Sequence, residues 1–286
     1  MRLRNELLLV FAMVIWSGSW TSGKLIAGSA DPNTTLFWRF IVSALALAPM
    51  VRFAGESFRI SARQATWAAL GGLIITVYTF LFFIGLKTGY AGAAGVLVTS
   101  MNPIFTYFLT RIFQGQNLNR RDGIGLLLGV SAGVILLELW SVSGEKLLLS
   151  GNLLFLVCAM IYALVTMTTN TATRSMSILV YSFYVNLLGA LFVLPLALVH
   201  WQQTPVFSDT TYWFNIFYLG VISNAFATTV YFYAVKKLGS ARASSYIFIV
   251  PATALLIAAL YLDEPVRATT LVGGLLALVG VTLLRR

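Results

Sequence analysis

Apolar runs of near-spanning length follow one another from end to end of this chain, and they leave little room for anything else. Leu7–Ile15, Ile124–Leu137 and Leu271–Leu284 are apolar on all sides. Membrane-barrel strands instead alternate polar and apolar at every second residue, so the runs read as helices, each crossing needing roughly 20 residues. Only 10% of the 286 residues are charged and mean hydropathy is +0.87. A soluble domain carries about 25% charged residues, so this chain has too few to wet its own surface. The fold class expected is an all-α integral membrane protein with no soluble domain.

Turn residues and charges divide the apolar length into ten expected transmembrane helices: 5–26, 34–53, 64–86, 90–113, 120–138, 150–170, 178–199, 210–235, 240–261 and 268–284. The start, Met1-Arg2-Leu3-Arg4 before an apolar stretch, resembles a secretion signal, and Ala27–Ala30 imitates a cleavage site. The stretch is too long for one, however, and carries Gly18, Trp20, Gly23 and Lys24, so it reads as a retained first helix.

The net charge of +10 finds its explanation in topology and does not call for nucleic acid as a partner. With ten spans, the N-terminus, the even connections and the C-terminus hold 14 of the 19 Lys and Arg residues, Arg52, Arg59, Arg63, Arg111 and Arg174 among them. The opposite side holds five: Lys24, Arg39, Lys87, Lys146 and Arg267. Positive residues stay on the cytoplasmic side, which places both termini in the cytoplasm.

The chain also repeats itself. Lys87-Thr-Gly-Tyr-Ala-Gly-Ala-Ala94 aligns with Lys237-Leu-Gly-Ser-Ala-Arg-Ala-Ser244, and each copy leads to a proline, Pro103 and Pro251. Residues 1–142 and 143–286 are thus expected to form two five-helix repeats. Five is odd, so the second repeat enters the membrane upside down, the plan of many secondary transporters that bind substrate where the halves meet.

An ordered series of short motifs resembles the EamA-type ten-helix branch of the drug/metabolite transporter superfamily. It runs through Trp16-Ser17-Gly18-Ser19-Trp20 with Lys24, Pro32 with Arg39, Leu86-Lys87 with Ala91, Asn102-Pro103 and Leu118-Asn119-Arg120-Arg121, then the segment from Lys237, Pro251 and Asp263-Glu264-Pro265. Within that branch the chain looks most like YddG-type exporters of aromatic amino acids. The resemblance implies export of amino acids or related metabolites across the bacterial inner membrane, through a cavity formed by helices 1–4 and 6–9. The glutamate usual after the fourth helix is replaced here by Gln114-Gly115-Gln116.

Candidate cavity residues come from helical spacing. Trp16, Trp20 and Lys24 share a face, as do Tyr78 with Phe82, Tyr162 with Thr166, and Asn224, Thr228 and Tyr231. Asn102, Asn186 and Tyr246 add polar groups inside apolar segments. Such groups are costly in hydrocarbon unless they meet a partner or a wet cavity. They either line that cavity or tie helices together. Lys24 and Arg39 sit near the external ends of helices 1 and 2, where each either attracts a substrate carboxylate or snorkels to the headgroups. Gly85, Gly89 and Gly92 surround the helix 3–4 connection as candidate hinges, and Pro103 and Pro251 are expected to kink or interrupt helices 4 and 9.

The nine acidic residues fall at expected helix ends or connections. A carrier without a midplane carboxylate is expected to be weakly coupled or uncoupled. Cys158 is the one cysteine and His200 the one histidine, so neither a disulfide nor a metal site is expected, and no cofactor. An enzyme is not expected, because no nucleophile–base constellation or metal-ligand motif appears. A channel-like facilitator and an exporter of other hydrophobic metabolites or drugs remain alternatives. The expected partners are a small-molecule substrate and the bilayer, with a monomer compatible with the sequence.

Overall fold

The computed structural model describes residues 2–113, 120–138, 140, 151–205, 208–231, 233 and 246–284. These form helices α1 (Arg2–Ile26), α2 (Pro32–Phe53), α3 (Ala62–Thr88), α4 (Ala91–Phe113) and α5 (Arg120–Leu136), then α6 (Asn152–Ala172) and α7 (Ile178–Val199). Helix α8 starts as an α-helix at Thr210–Phe217, widens to π-helical turns over Tyr218–Ala227, and continues helical through 228–231. A 3₁₀ turn, Tyr246–Phe248, leads into α9 (Ile249–Leu262), and α10 (Ala268–Leu284) follows. No strand occurs among the described residues. The repeat segment from Lys237 to Ser244, the Gln114–Gln116 departure and Leu118-Asn119 lie outside them.

Six described helices are long and apolar enough to cross a membrane: Glu6–Ile26, Pro32–Phe53, Ala62–Thr88, Ala91–Phe113, Asn152–Ala172 and Ile178–Val199. Gly123–Leu136, Ile249–Leu262 and Ala268–Leu283 are shorter apolar helices.

Local chemistry sets the helix starts. Asp31 accepts a hydrogen bond from Asn33 N at 2.9 Å, with Pro32 supplying a preset φ in the first turn of α2. Ser61 and Gln64 form a reciprocal capping box on α3. Ser177 caps α7 and Asp209 caps α8. Between the caps the spans are predominantly apolar, so inter-helix packing decides the arrangement.

That packing follows a rule. Helices five apart in the chain pack together: α2 with α7, α4 with α9 and α5 with α10. Most of the remaining large contacts come in matched pairs, α1–α9 with α4–α6, α3–α7 with α2–α8, and α3–α6 with α1–α8, while α4–α10 has no counterpart of similar size. Every one of these joins residues before 137 to residues after 151. Glycine brings the backbones close: a Cβ at Gly280 of α10 would meet Gly125 O of α5 at 2.9 Å.

The two prolines sit differently in their helices. Helix α4 runs as one helix from Ala91 to Phe113 through Pro103. Pro251 stands in the first turn of α9, where its missing N–H removes no interior helical bond.

Candidate functional site

Four helices deliver five side chains to one end of the bundle, the end that carries Lys24. The rise of an α-helix, about 1.5 Å per residue, gives the depth. Trp20 lies six residues from the end of α1, Phe82 six from the end of α3, and Arg39 seven from the start of α2. Tyr78 and Tyr162 each lie ten residues in, on α3 and α6. The group therefore occupies a layer roughly 9–15 Å below that end.

These residues touch. The rings of Trp20 and Phe82 are 5.2 Å apart, those of Tyr78 and Phe82 6.2 Å, and those of Tyr78 and Tyr162 5.0 Å. The Arg39 guanidinium carbon stands 5.7 Å from the centroid of Phe82, a cation–π arrangement, within electrostatic reach of both tyrosines. Arg39 Nη1 is buried and makes no hydrogen bond among the described residues. A buried guanidinium nitrogen without an acceptor is costly.

The other candidates divide into neighbouring groups. Trp16, one turn before Trp20, faces α8: its ring lies 5.3 Å from Tyr231 and its Nε1 donates to Ser223 O at 3.0 Å. Tyr246 packs into the same apolar cluster. Asn224 Nδ2 donates to Asn186 Oδ1 at 2.9 Å, tying α8 to α7. Asn102 accepts from Thr106 Oγ1 at 3.0 Å, Thr166 donates to Tyr162 O at 2.9 Å, and Thr228 is half-buried on α8. The structure thus unites Trp20, Arg39, Tyr78, Phe82 and Tyr162, places Trp16, Tyr231 and Tyr246 in a second group, and gives Asn186 and Asn224 to each other.

Lys24 has a different occupation. Its Nζ donates to Leu86 O at 2.6 Å and Gly89 O at 2.9 Å, the orphan carbonyls at the end of α3. Beyond this corner, Glu264 accepts from Ala91 N at 2.7 Å and Gly92 N at 2.8 Å, the first amides of α4. A cation on a helix C-terminus and a carboxylate on the next N-terminus both match the helix dipoles. Asp263 turns the chain at the end of α9 with φ 52°, and Glu264 follows it into the bundle.

Glu264 is the one buried acid among the described residues, and the sequence pattern alone had placed it in a connection. Asp263-Glu264-Pro265 was its only signal, and it entered through the family resemblance. The glycines of the same corner are close-packed: a Cβ at Gly85 or Gly89 would stand 2.6 Å from the Phe155 ring, and one at Gly92 2.9 Å from Leu255. Their smallness therefore has a packing cause, which the hinge expectation did not include. No group of three His, Cys, Asp or Glu residues among the described residues is placed to hold a metal.

The model of the EamA-like transporter family matches residues 3–138 and, separately, 149–286. This chain belongs to the EamA-like transporter family. Like other members it is a membrane transporter, and several relatives carry transporter names. An uncharacterized transporter of Archaeoglobus fulgidus is 25% identical over 99% of this chain and 98% of its own length. A probable terminal-alkyne amino-acid exporter of Streptantibioticus cattleyicolor is also 25% identical, over 97% of this chain and 92% of its own. A crystal structure of a protein 18% identical to this chain covers 99% of it, and 98% of that chain, with a TM-score of 0.66. At that identity the last likeness speaks for the fold of this EamA-like transporter alone.

Proposed function

We propose that this EamA-like transporter is a secondary exporter of amino acids, aromatic ones foremost, and of related small metabolites across the bacterial inner membrane. The observation that carries this reading is Arg39: a guanidinium with an unpartnered buried nitrogen, over the Phe82 ring and within reach of Tyr78 and Tyr162, with Trp20 packed on Phe82. The guanidinium offers a carboxylate two parallel donors, and the rings offer stacking surface to an aromatic body. The name of the Streptantibioticus relative, an amino-acid exporter, points the same way, and the reading places the chain with YddG-type carriers.

The mechanism in this reading is alternating access between two inverted five-helix repeats, residues 1–142 and 143–286, with ten crossings and both termini in the cytoplasm. Two separate family matches and the exchange-symmetric helix packing support it. Coupling to protons is weak or absent, because the buried acid Glu264 has its carboxylate oxygens committed to the backbone of α4. The test is counterflow in proteoliposomes. Unlabelled aromatic amino acid inside should accelerate uptake of labelled amino acid, saturably and without a pH change in the lumen. Unsaturable conductance would mark a channel-like facilitator instead, and substrate-dependent lumen acidification or alkalinisation would mark a proton-coupled carrier.

A further inference from the structure

We propose that the Arg39 cage recognises its substrate by the carboxylate and the aromatic body alone, so that deaminated aromatic carboxylates are ligands of this site and the matching amines are excluded. The inference rests on the export reading for its location and goes beyond it in substrate class.

The argument starts from the charges at this end of the bundle. Arg267 pairs with Glu138 at 3.0 Å, Lys24 is committed to the carbonyls of α3, and Lys87 is exposed. Among the described cations of this end, Arg39 alone combines a buried nitrogen with no acceptor. It makes no ion pair with a described residue. A substrate carboxylate would supply the missing acceptor and neutralise the charge in the same contact.

An ammonium finds the reverse situation. Recognition of an α-amino group in a low-dielectric site calls for a carboxylate or a ring of free carbonyls. The described side chains in the cage are four aromatics and one arginine. The buried acid, Glu264, holds Ala91 N and Gly92 N with its two oxygens. The face of Phe82, which would accept a cation by its quadrupole, already has Arg39 over it at 5.7 Å. An amine without a carboxylate would therefore bring a second positive charge to a buried one, with only the neutral hydroxyls of Tyr78 and Tyr162 as acceptors and no negative charge to offset it.

A matched probe set decides the matter: phenylalanine, its deaminated form 3-phenylpropanoate and its decarboxylated form phenethylamine, each measured for binding to the purified full chain in detergent. The expected order puts 3-phenylpropanoate no weaker than phenylalanine, and phenethylamine weaker by at least about tenfold, as opposite signs of interaction with one partly screened charge require. In Arg39→Gln the preference for acid over amine should vanish, and in Arg39→Lys, which keeps the charge, it should persist. A purely structural arginine would change all three affinities together and leave their ratio alone. Amine binding as tight as acid binding, an acid preference that survives Arg39→Gln, or binding of none of the three would each overturn the inference. If the acid binds with this selectivity while counterflow of all three probes is absent, the cage assignment stands and the export reading falls.

Discussion

Lys24 and Arg39 enter the bundle from the same end on adjacent helices, and they solve the problem of a cation among apolar neighbours in opposite ways. Lys24 reaches sideways to the last carbonyls of α3 and is fully employed by the protein itself. Arg39 lies deeper, against the face of Phe82, with one nitrogen left over. The protein has thus completed one charge internally and left a nitrogen of the other without an acceptor. In the proposed reading that contrast is one between a structural cation and a recognition cation, which position along the sequence does not distinguish.

The comparison can be broken by substitution. The largest expected effect belongs to Arg39→Gln: substrate affinity should fall by about thirtyfold or more, the loss typical of truncating one side of a desolvated charge pair, with the thermal midpoint of the substrate-free protein held or raised. A drop in midpoint without loss of affinity would make Arg39 structural. Next comes Glu264→Ala, which strips two buried amides of their acceptor and should destabilise by ~2–4 kcal/mol, read as a lowered midpoint in detergent. Lys24→Met should cost less, ~1–2 kcal/mol, because helix carbonyls at an interface keep some access to water. It should leave affinity unchanged, and a large affinity loss would restore Lys24 to the binding site. The smallest effect is expected for Asn224→Ala, where the lost interhelical hydrogen bond to Asn186 is worth about 0.6 kcal/mol in a membrane bundle.

The same contrast explains what sequence reasoning could reach. Helix positions were legible because apolar length and the turn residues that interrupt it act locally. The expected spans 178–199 and 268–284 coincide with α7 and α10, and the others that can be compared differ by a few residues. The aromatic residues of the candidate site stood out as well, since Trp20, Tyr78, Phe82 and Tyr162 recur at helical spacing in apolar segments, and the structure packs their rings together. Two things were not legible. Spacing put Trp16 and Trp20 on one stripe, but packing sends the first to α8 and the second to α3, because the stripe spans the junction of two neighbours. Glu264 was also hidden: four residues before the start of α10, nothing in its own segment says that it folds inward onto a helix from the other half.

The partners of Lys24 and Glu264 are peptide groups, not side chains. Any residue type with a free amide at positions 91 and 92, or any at all at 86 and 89 that fits the packing, presents the same carbonyls and amides. Substitutions there therefore need no compensating change at 24 or 264, and no correlated variation between these positions would accumulate over time. The tie that holds the α3–α4 corner across the two halves is for this reason readable only from three dimensions: it leaves a mark at one of its ends and none at the other.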